Sequence, residues 1–413
     1  MNPPEAFPER ARTLAAGMPW REFLPAHPAE EFLPLMSAEL RGIEKVRNYT
    51  WFLVQERSPH RAELKGGFGL VLASVMVIGG ALVVPASSAH ALRQLDRPNR
   101  AQIGAAMAIP EGRLRLAGPP VGFWGGEYTT SSNERVTIYT SSSYTVDEAA
   151  NQRWADFMGR LLHGSELSRV TVYFATPFEV NRLCTGAADL VHDVLGCYGS
   201  SMIFAPGEDT TKVSAESVLT HEYGHHIAAN RSNAPWRAID WGAKRWATAM
   251  NICALSRVHV VFPGDESLLY RLNPGEGFAE TYRGFSERTE GHHIGPWGVL
   301  DTALYPGGDA VPAIVADVLN PWTGNQTKSF HGRFTAHGPS VKTFTFKSRF
   351  DGTFSASATS HARIRIAILN WRTVVARGRG SAHTTLCGGL RERDVRVIRT
   401  RGNGSFTLTV SLP

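Results

Sequence analysis

Cysteine is scarce in this chain, and no pair of cysteines stands at metal-binding spacing. Four occur in 413 residues, Cys184, Cys197, Cys253 and Cys387, and none forms a CxxC, which argues against a zinc site built from thiolates. No GxSxG turn presents a nucleophilic serine and no GxxxxGK[ST] loop cradles phosphates, so serine-nucleophile and P-loop chemistry drop out. No solenoid-type repeat is found. Charged residues make up only 19% of the chain against 43% hydrophobic, a balance that excludes a disordered polyelectrolyte and suits a globular protein. Acidic residues are scarcest at one end. Residues 327–413 hold 15 Lys and Arg against 3 Asp and Glu, a balance of +12, whereas the preceding 326 residues hold 28 against 34, a balance of −6. A basic tail on a mildly acidic body suits contact with an anionic surface or matrix, or serves solubility alone. No specific nucleic-acid partner is expected.

Long hydrophobic runs are also rare, with one exception. Phe68 to Pro85, "FGLVLASVMVIGGALVVP", is 18 residues without a charge, preceded by Arg57, Arg61 and Lys65 and followed by "ASSAHA" with its small residues Ala89 and Ala91. A positive flank, an apolar run and a small-residue exit make residues 68–91 a secretory signal. An uncleaved run would instead anchor the chain in a membrane with the rest outside, and a buried core helix is the third reading. Residues 1–67 form an N-terminal extension to which no role is assigned. Export suits the even cysteine count, which allows two disulfides. Cys184 and Cys197 flank a short segment and form the nearest local pair; Cys253 with Cys387 would then tie the body to the tail.

The chain is long enough for two or three domains. In the body, residues 92–326, "RVTIYTSSSYT", "RVTVYFATP" and "SSMIFAP" read as strands, and "DEAANQRWADFMGRLLHG" carries apolar residues at helical spacing. Strands first and functional helices later make an α+β arrangement. From Thr327 the texture changes to short alternating segments between glycine-rich turns, "SVKTFTFKS", "GTFSASAT", "ARIRIAIL", "DVRVIRT" and "SFTLTVSLP". Five or more such strands without a helical pattern make an all-β sandwich over 327–413, expected to fold on its own.

The chemistry sits in "VSAESVLTHEYGHHIAAN", Val213 to Asn230. Ser214 suits an N-cap, Glu216 the first turn, and Val218, Leu219 and Ile227 give an apolar stripe. Residues i and i+4 share a helix face, so His221 and His225 can offer two imidazoles to one metal ion. Glu222, beside the first, can reach a water on that metal instead of the metal itself. This is the HExxH pattern. Gly224 costs about 1 kcal/mol in a helix relative to alanine and implies a close neighbour. His226 points 100° away from His225 and cannot join the pair.

A catalytic zinc takes a third protein ligand. "LNPGEGFAETYRGF" opens a helix at Asn273 and Pro274 and places Glu276 and Glu280 at i and i+4. One can bind the metal while the other accepts the outer N–H of a ligand histidine. Glu276 also stands where a glutamate can cap the helix back to Asn273.

HEYGH followed some fifty residues later by EGFAE resembles the gluzincin branch of zinc metallopeptidases. The resemblance implies a zincin-like α+β catalytic domain in which His221, His225 and Glu276 bind Zn2+, Glu222 is the general base and Glu280 supports a histidine. Gluzincins also use a tyrosine or histidine to stabilise the developing oxyanion, for which Tyr270, His292 and His293 are candidates. The tail is similar to the pre-peptidase C-terminal β-sandwich of secreted bacterial proteases. The expectation is a secreted zinc endopeptidase acting on a protein or peptide substrate. The rivals are a surface or matrix binding protein on a zincin scaffold and a zinc hydrolase of a non-peptide amide.

Overall fold

The computed structural model describes residues 121–185, 194–211, 213–266, 269–291, 300–389 and 391–413. The N-terminal extension 1–67, the apolar segment 68–91 and the first residues of the body, 92–120, lie outside the described residues. So do His292, His293 and most of the segment between Cys184 and Cys197. Among the described residues no helix is long and apolar enough to cross a membrane.

Alternation of β-branched and aromatic residues forms β2 (Arg135–Ser141) and β3 (Thr171–Ala175) at the centre of a five-stranded sheet. β1 (Phe123–Thr129) pairs antiparallel with β2; β2, β3 and β5 (Met202–Pro206) run parallel; β4 (Cys197–Gly199) closes the far edge antiparallel to β5. Helix α1 (Glu148–Arg160) forms the β2–β3 crossover and starts where the Asp147 carboxylate accepts from the Ala150 amide. α2 (Pro177–Thr185) follows β3. α3 (Ala215–Ala229) begins at Ser214, whose hydroxyl accepts from the Ser217 amide at 3.1 Å. Three short helices, α4 (Ala238–Trp241), α5 (Lys244–Ala249) and α6 (Ile252–Arg257), lead to α7 (Pro274–Thr289) and α8 (Ala310–Leu319). α3 packs against β5 on one side and α7 on the other. Ile138, Val172 and Ile203 of the sheet share one core with Leu219, Tyr223 and Ile227 of α3 and with Phe278 and Tyr282 of α7. Helices α1 and α2 lie between the strands of the sheet, and the other six follow its last strand, α3 and α7 among them.

From Gln326 the chain is all β. The strands β6 (Gln326–Phe334), β7 (Val341–Lys347), β8 (Gly352–Ser360), β9 (Arg363–Asn370), β10 (Thr373–Gly378), β11 (Ser381–Leu386), β12 (Glu392–Arg401) and β13 (Gly404–Leu412) form two antiparallel sheets, β10-β9-β12-β7 and β11-β8-β13-β6. Their inner faces meet in a second core, with Phe334, Phe354, Phe406 and Leu408 against Phe346, Ile366, Ile368, Val395 and Val397. This is the expected sandwich, with eight strands where five segments stood out in the sequence.

The two cysteine pairs are joined as expected, Cys184 to Cys197 and Cys253 to Cys387. The second bridges the body and the sandwich, and a buried lysine does the same. The Lys244 amine is fully buried. It donates to the Ala234 carbonyl at 2.6 Å and to the Asp351 carbonyl, in the β7–β8 turn, at 2.9 Å, and it lies 4.3 Å from the centre of the Trp322 ring. Burial pushes its pKa down to about 8 against the pull of Asp351 and Asp317. Each part has its own core, yet residues 121–413 belong to one compact unit. The tail is thus less separable from the body than its sequence suggests, because the bonds that join them come from residues far apart in the chain.

Candidate metal centre

Helices α3 and α7 cross where α3 has its glycine. A Cβ on Gly224 would stand 2.8 Å from Ala279 Cα and 3.1 Å from the Ala279 carbonyl oxygen, so only glycine allows this approach. The crossing brings the histidine pair of one helix against the glutamate pair of the other. His221 Nε2 is 3.2 Å from one carboxylate oxygen of Glu276, and His225 Nε2 is 3.4 Å from the other. One donor atom from each of His221, His225 and Glu276 lies within 4.8 Å of the other two, and all three side chains are buried.

These separations suit a zinc ion. Tetrahedral ligands at about 2.0–2.1 Å from zinc stand about 3.3 Å from one another, close to the two N–O distances. Two imidazoles and one carboxylate are also zinc's preferred donor types. The electrostatics point the same way. Burial opposes a charge on His221, but Glu276 and Glu280 outweigh it and hold its pKa up to about 10. His225 is likewise raised by Glu276 against burial. The surroundings therefore favour positive charge between the two rings.

The outer nitrogen of His221, Nδ1, is 3.4 Å from Glu280, which suits an Nδ1–H donor and leaves Nε2 free to ligate. Glu280 is itself held by Arg283, whose Nε and Nη2 donate to its two oxygens at 2.9 and 2.5 Å. Arg283 donates again to Glu287 at 2.6 Å, and Ser217 of α3 donates to that same carboxylate at 2.5 Å. Burial works against the Glu280 carboxylate, yet Arg283 and His221 hold its pKa below the usual range.

Asn273 caps α7 alone, its side-chain Oδ1 accepting from the Gly275 amide at 3.0 Å. The Glu276 carboxylate faces the histidines instead of the helix end. It also accepts from the Tyr270 hydroxyl at 2.5 Å, which comes from the 3-10 turn Tyr270–Leu272 just before α7. Tyr270 thus touches the cluster through Glu276. Glu222 is buried beside the ligand pair, and burial raises its pKa while His221 and His225 oppose the rise. The backbone of Gly196 closes over it: a Cβ there would stand 2.6 Å from Val218 Cγ1 and 2.9 Å from a Glu222 carboxylate oxygen. The next residue, Cys197, opens the edge strand β4 and is tied to α2 by its disulfide. His226 faces away, with Nε2 2.9 Å from the Glu166 carbonyl and Nδ1 3.3 Å from the Tyr198 hydroxyl, and burial lowers its pKa. It serves the packing between α3 and the sheet.

Arg283 and Gly196 were missed in the sequence. The spacing of Glu280, Arg283 and Glu287 at i, i+3 and i+7 was visible, but such a triplet reads as a solvated helix face. Nothing local marks Gly196 as the neighbour of a residue 26 positions on.

No family model matches the chain, and no curated protein matches it in sequence. Three solved structures are similar to small parts of it. The pre-peptidase C-terminal domain of collagenase from Bacillus anthracis is 13% identical over 20% of this chain and 88% of that one, with a TM-score of 0.18. A periplasmic inhibitor of g-type lysozyme from Aeromonas hydrophila is 13% identical over 22% and 91%, with a TM-score of 0.19. The Yersinia pseudotuberculosis-derived mitogen is 10% identical over 22% and 87%, with a TM-score of 0.20. At these values none of the three carries an argument about this chain.

Proposed function

We propose that the protein is a secreted zinc-dependent endopeptidase of gluzincin type, its body a zincin-like catalytic domain and its tail a sandwich of the pre-peptidase C-terminal kind. The observation that carries this reading is the convergence of His221, His225 and Glu276, from two helices, with Glu222 buried beside them. Two disulfides support an oxidising, extracellular setting.

A zinc ion held by His221, His225 and Glu276 would supply Lewis acidity, polarising a peptide carbonyl and acidifying a water molecule. The rest of the chemistry falls to side chains of this chain. Glu222 takes the proton of the attacking water and returns it to the leaving amine. Burial raises the proton affinity of its carboxylate against the pull of His221 and His225, which suits a group that accepts a proton during the reaction. Glu280 holds His221 in the tautomer that leaves Nε2 free, and Arg283 holds Glu280 ionised. Tyr270, next to the cluster, can swing from Glu276 to donate to the developing oxyanion.

The test is Glu222→Gln. It removes the base and leaves all three ligands, so zinc content should be unchanged while hydrolysis of peptides falls by several orders of magnitude. Near-normal turnover with zinc bound would show that another group activates the water.

A further inference from the structure

The strand register of the sandwich gathers its charge on one face. In the sheet β10-β9-β12-β7, Ile364, Ile366, Ile368, Val395, Val397 and Ala376 face the core, so the alternate residues face outwards. Arg365 stands opposite Ile398, Arg396 and Arg377 both stand opposite Ala367, and Arg363 stands directly opposite Arg401. All five arginines are exposed. None is in an ion pair with a carboxylate among the described residues.

Of the three acidic residues of the tail, one is off this face and two stand on it towards the other end, each already engaged. Asp351 is buried at the junction with the body, Glu392 pairs with Lys347, and Asp394 accepts from Thr345. Glu392, Lys347 and Asn370 mark the end of this sheet next to the body, so the arginines occupy the end away from it.

Like charges directly opposite each other, as at Arg363 and Arg401, destabilise a strand pair. Among the described residues no carboxylate pairs with either arginine, and the geometry suits an anion from outside the fold. Adjacent strands are about 4.8 Å apart and outward residues repeat about every 6.7 Å along each strand. The register thus groups five planar forks on neighbouring strands, each able to take a sulfate or carboxylate through two hydrogen bonds. Between them stand Ala367, Thr343, Ile398 and Val341. No aromatic ring is placed among them for a nucleic-acid base to stack on or to anchor in a bilayer interface.

We propose that this arginine face binds a linear acidic polysaccharide, sulfated or uronic. The tail's charge balance pointed to an anionic surface in general; the register assigns a face, five residues and a class of partner. The inference stands independently of the zinc centre.

The full chain is tested against heparin, with dextran as the uncharged control. Arg365→Gln/Arg377→Gln/Arg396→Gln is compared with Arg333→Gln/Arg349→Gln/Arg372→Gln, which removes the same charge from the other sheet and from turns. Circular dichroism melting confirms that both fold. The face triple should weaken heparin binding by about tenfold or more and flatten its dependence on log salt by roughly two to three, while the control triple changes affinity by less than about threefold. Dextran should not bind. Equal losses in the two triples would reduce the effect to net charge and overturn the proposal. So would tighter binding, at equal ionic strength, to a single-stranded oligonucleotide or to phosphatidylglycerol vesicles than to heparin.

Discussion

Arg283→Met removes the cation that holds Glu280 behind the cluster of His221, His225 and Glu276. Arg283 is 1% exposed and donates to both oxygens of Glu280 and to Glu287. Methionine matches much of its length but leaves two carboxylates in the interior without their cation. Breaking a buried ion pair by removing one partner costs about 3–5 kcal/mol. In a protein of this size that is about 3–6 °C in melting temperature. The second effect is on the metal. Glu280 is ionised against burial because Arg283 and His221 hold it so. Without the guanidinium its pKa rises, and a protonated Glu280 no longer favours the Nδ1–H of His221. Losing such an outer partner typically weakens metal binding about 10–100-fold. Zinc affinity is measured by competition with a chromophoric chelator, and melting by calorimetry of the zinc-loaded and chelator-treated proteins. Should Arg283→Met be too unstable to purify, Arg283→Lys keeps the charge but loses the two-pronged contact, and an intermediate loss of affinity is expected. Wild-type zinc affinity in both variants would refute the chain from Arg283 through Glu280 to His221.

Two further outcomes follow from the packing. Gly224→Ala drives a methyl group to within 2.8 Å of Ala279 Cα, so α3 and α7 must separate; a loss of about 1–3 kcal/mol is expected, with weaker zinc binding because the ligands sit on both helices. Equal melting temperature and zinc affinity would show that the crossing is not tight. At the junction, burial raises the Asp351 pKa to about 6 against Lys244 and Arg257 and the amides of Gly388 and Gly389. The folded state therefore binds more protons than the unfolded one between about pH 4 and pH 6. Stability contributed by Asp351 is present at the acid end and is lost as pH rises through 6. Asp351→Asn should abolish that slope and melt higher than wild type at pH 7; an unchanged slope in the variant's pH–melting curve would assign it to other groups.

The cluster of His221, His225 and Glu276 was legible because its geometry is local. Two residues four apart on a helix share a face whatever surrounds them, so the histidine pair and the glutamate pair each announced a ligand face. That Gly224 allows the two helices to meet was legible too, since a glycine inside a helix is costly without a close neighbour. What long-range packing decides was not. Arg283 looks like a surface residue until α3 brings Ser217 to the same carboxylate. Lys244 looks like any helix-start lysine, and its partners Trp322 and Asp351 lie in other parts of the chain. Among the strands, those with strong alternation stood out. β1 (FWGGEYT) has two glycines, β4 is three residues long, and β6, β10 and β11 are edge strands without the aromatic alternation that marks the edge strand β7. Their places are set by the strands they join.

Metal analysis tests the zinc centre most directly. Wild-type protein dialysed against zinc and then against buffer should retain one zinc per chain. His221→Ala and Glu276→Gln, treated alike, should retain almost none, and Glu280→Gln should keep the ion with lowered affinity. Stoichiometric zinc in both ligand variants, or none in the wild type, would contradict the assignment.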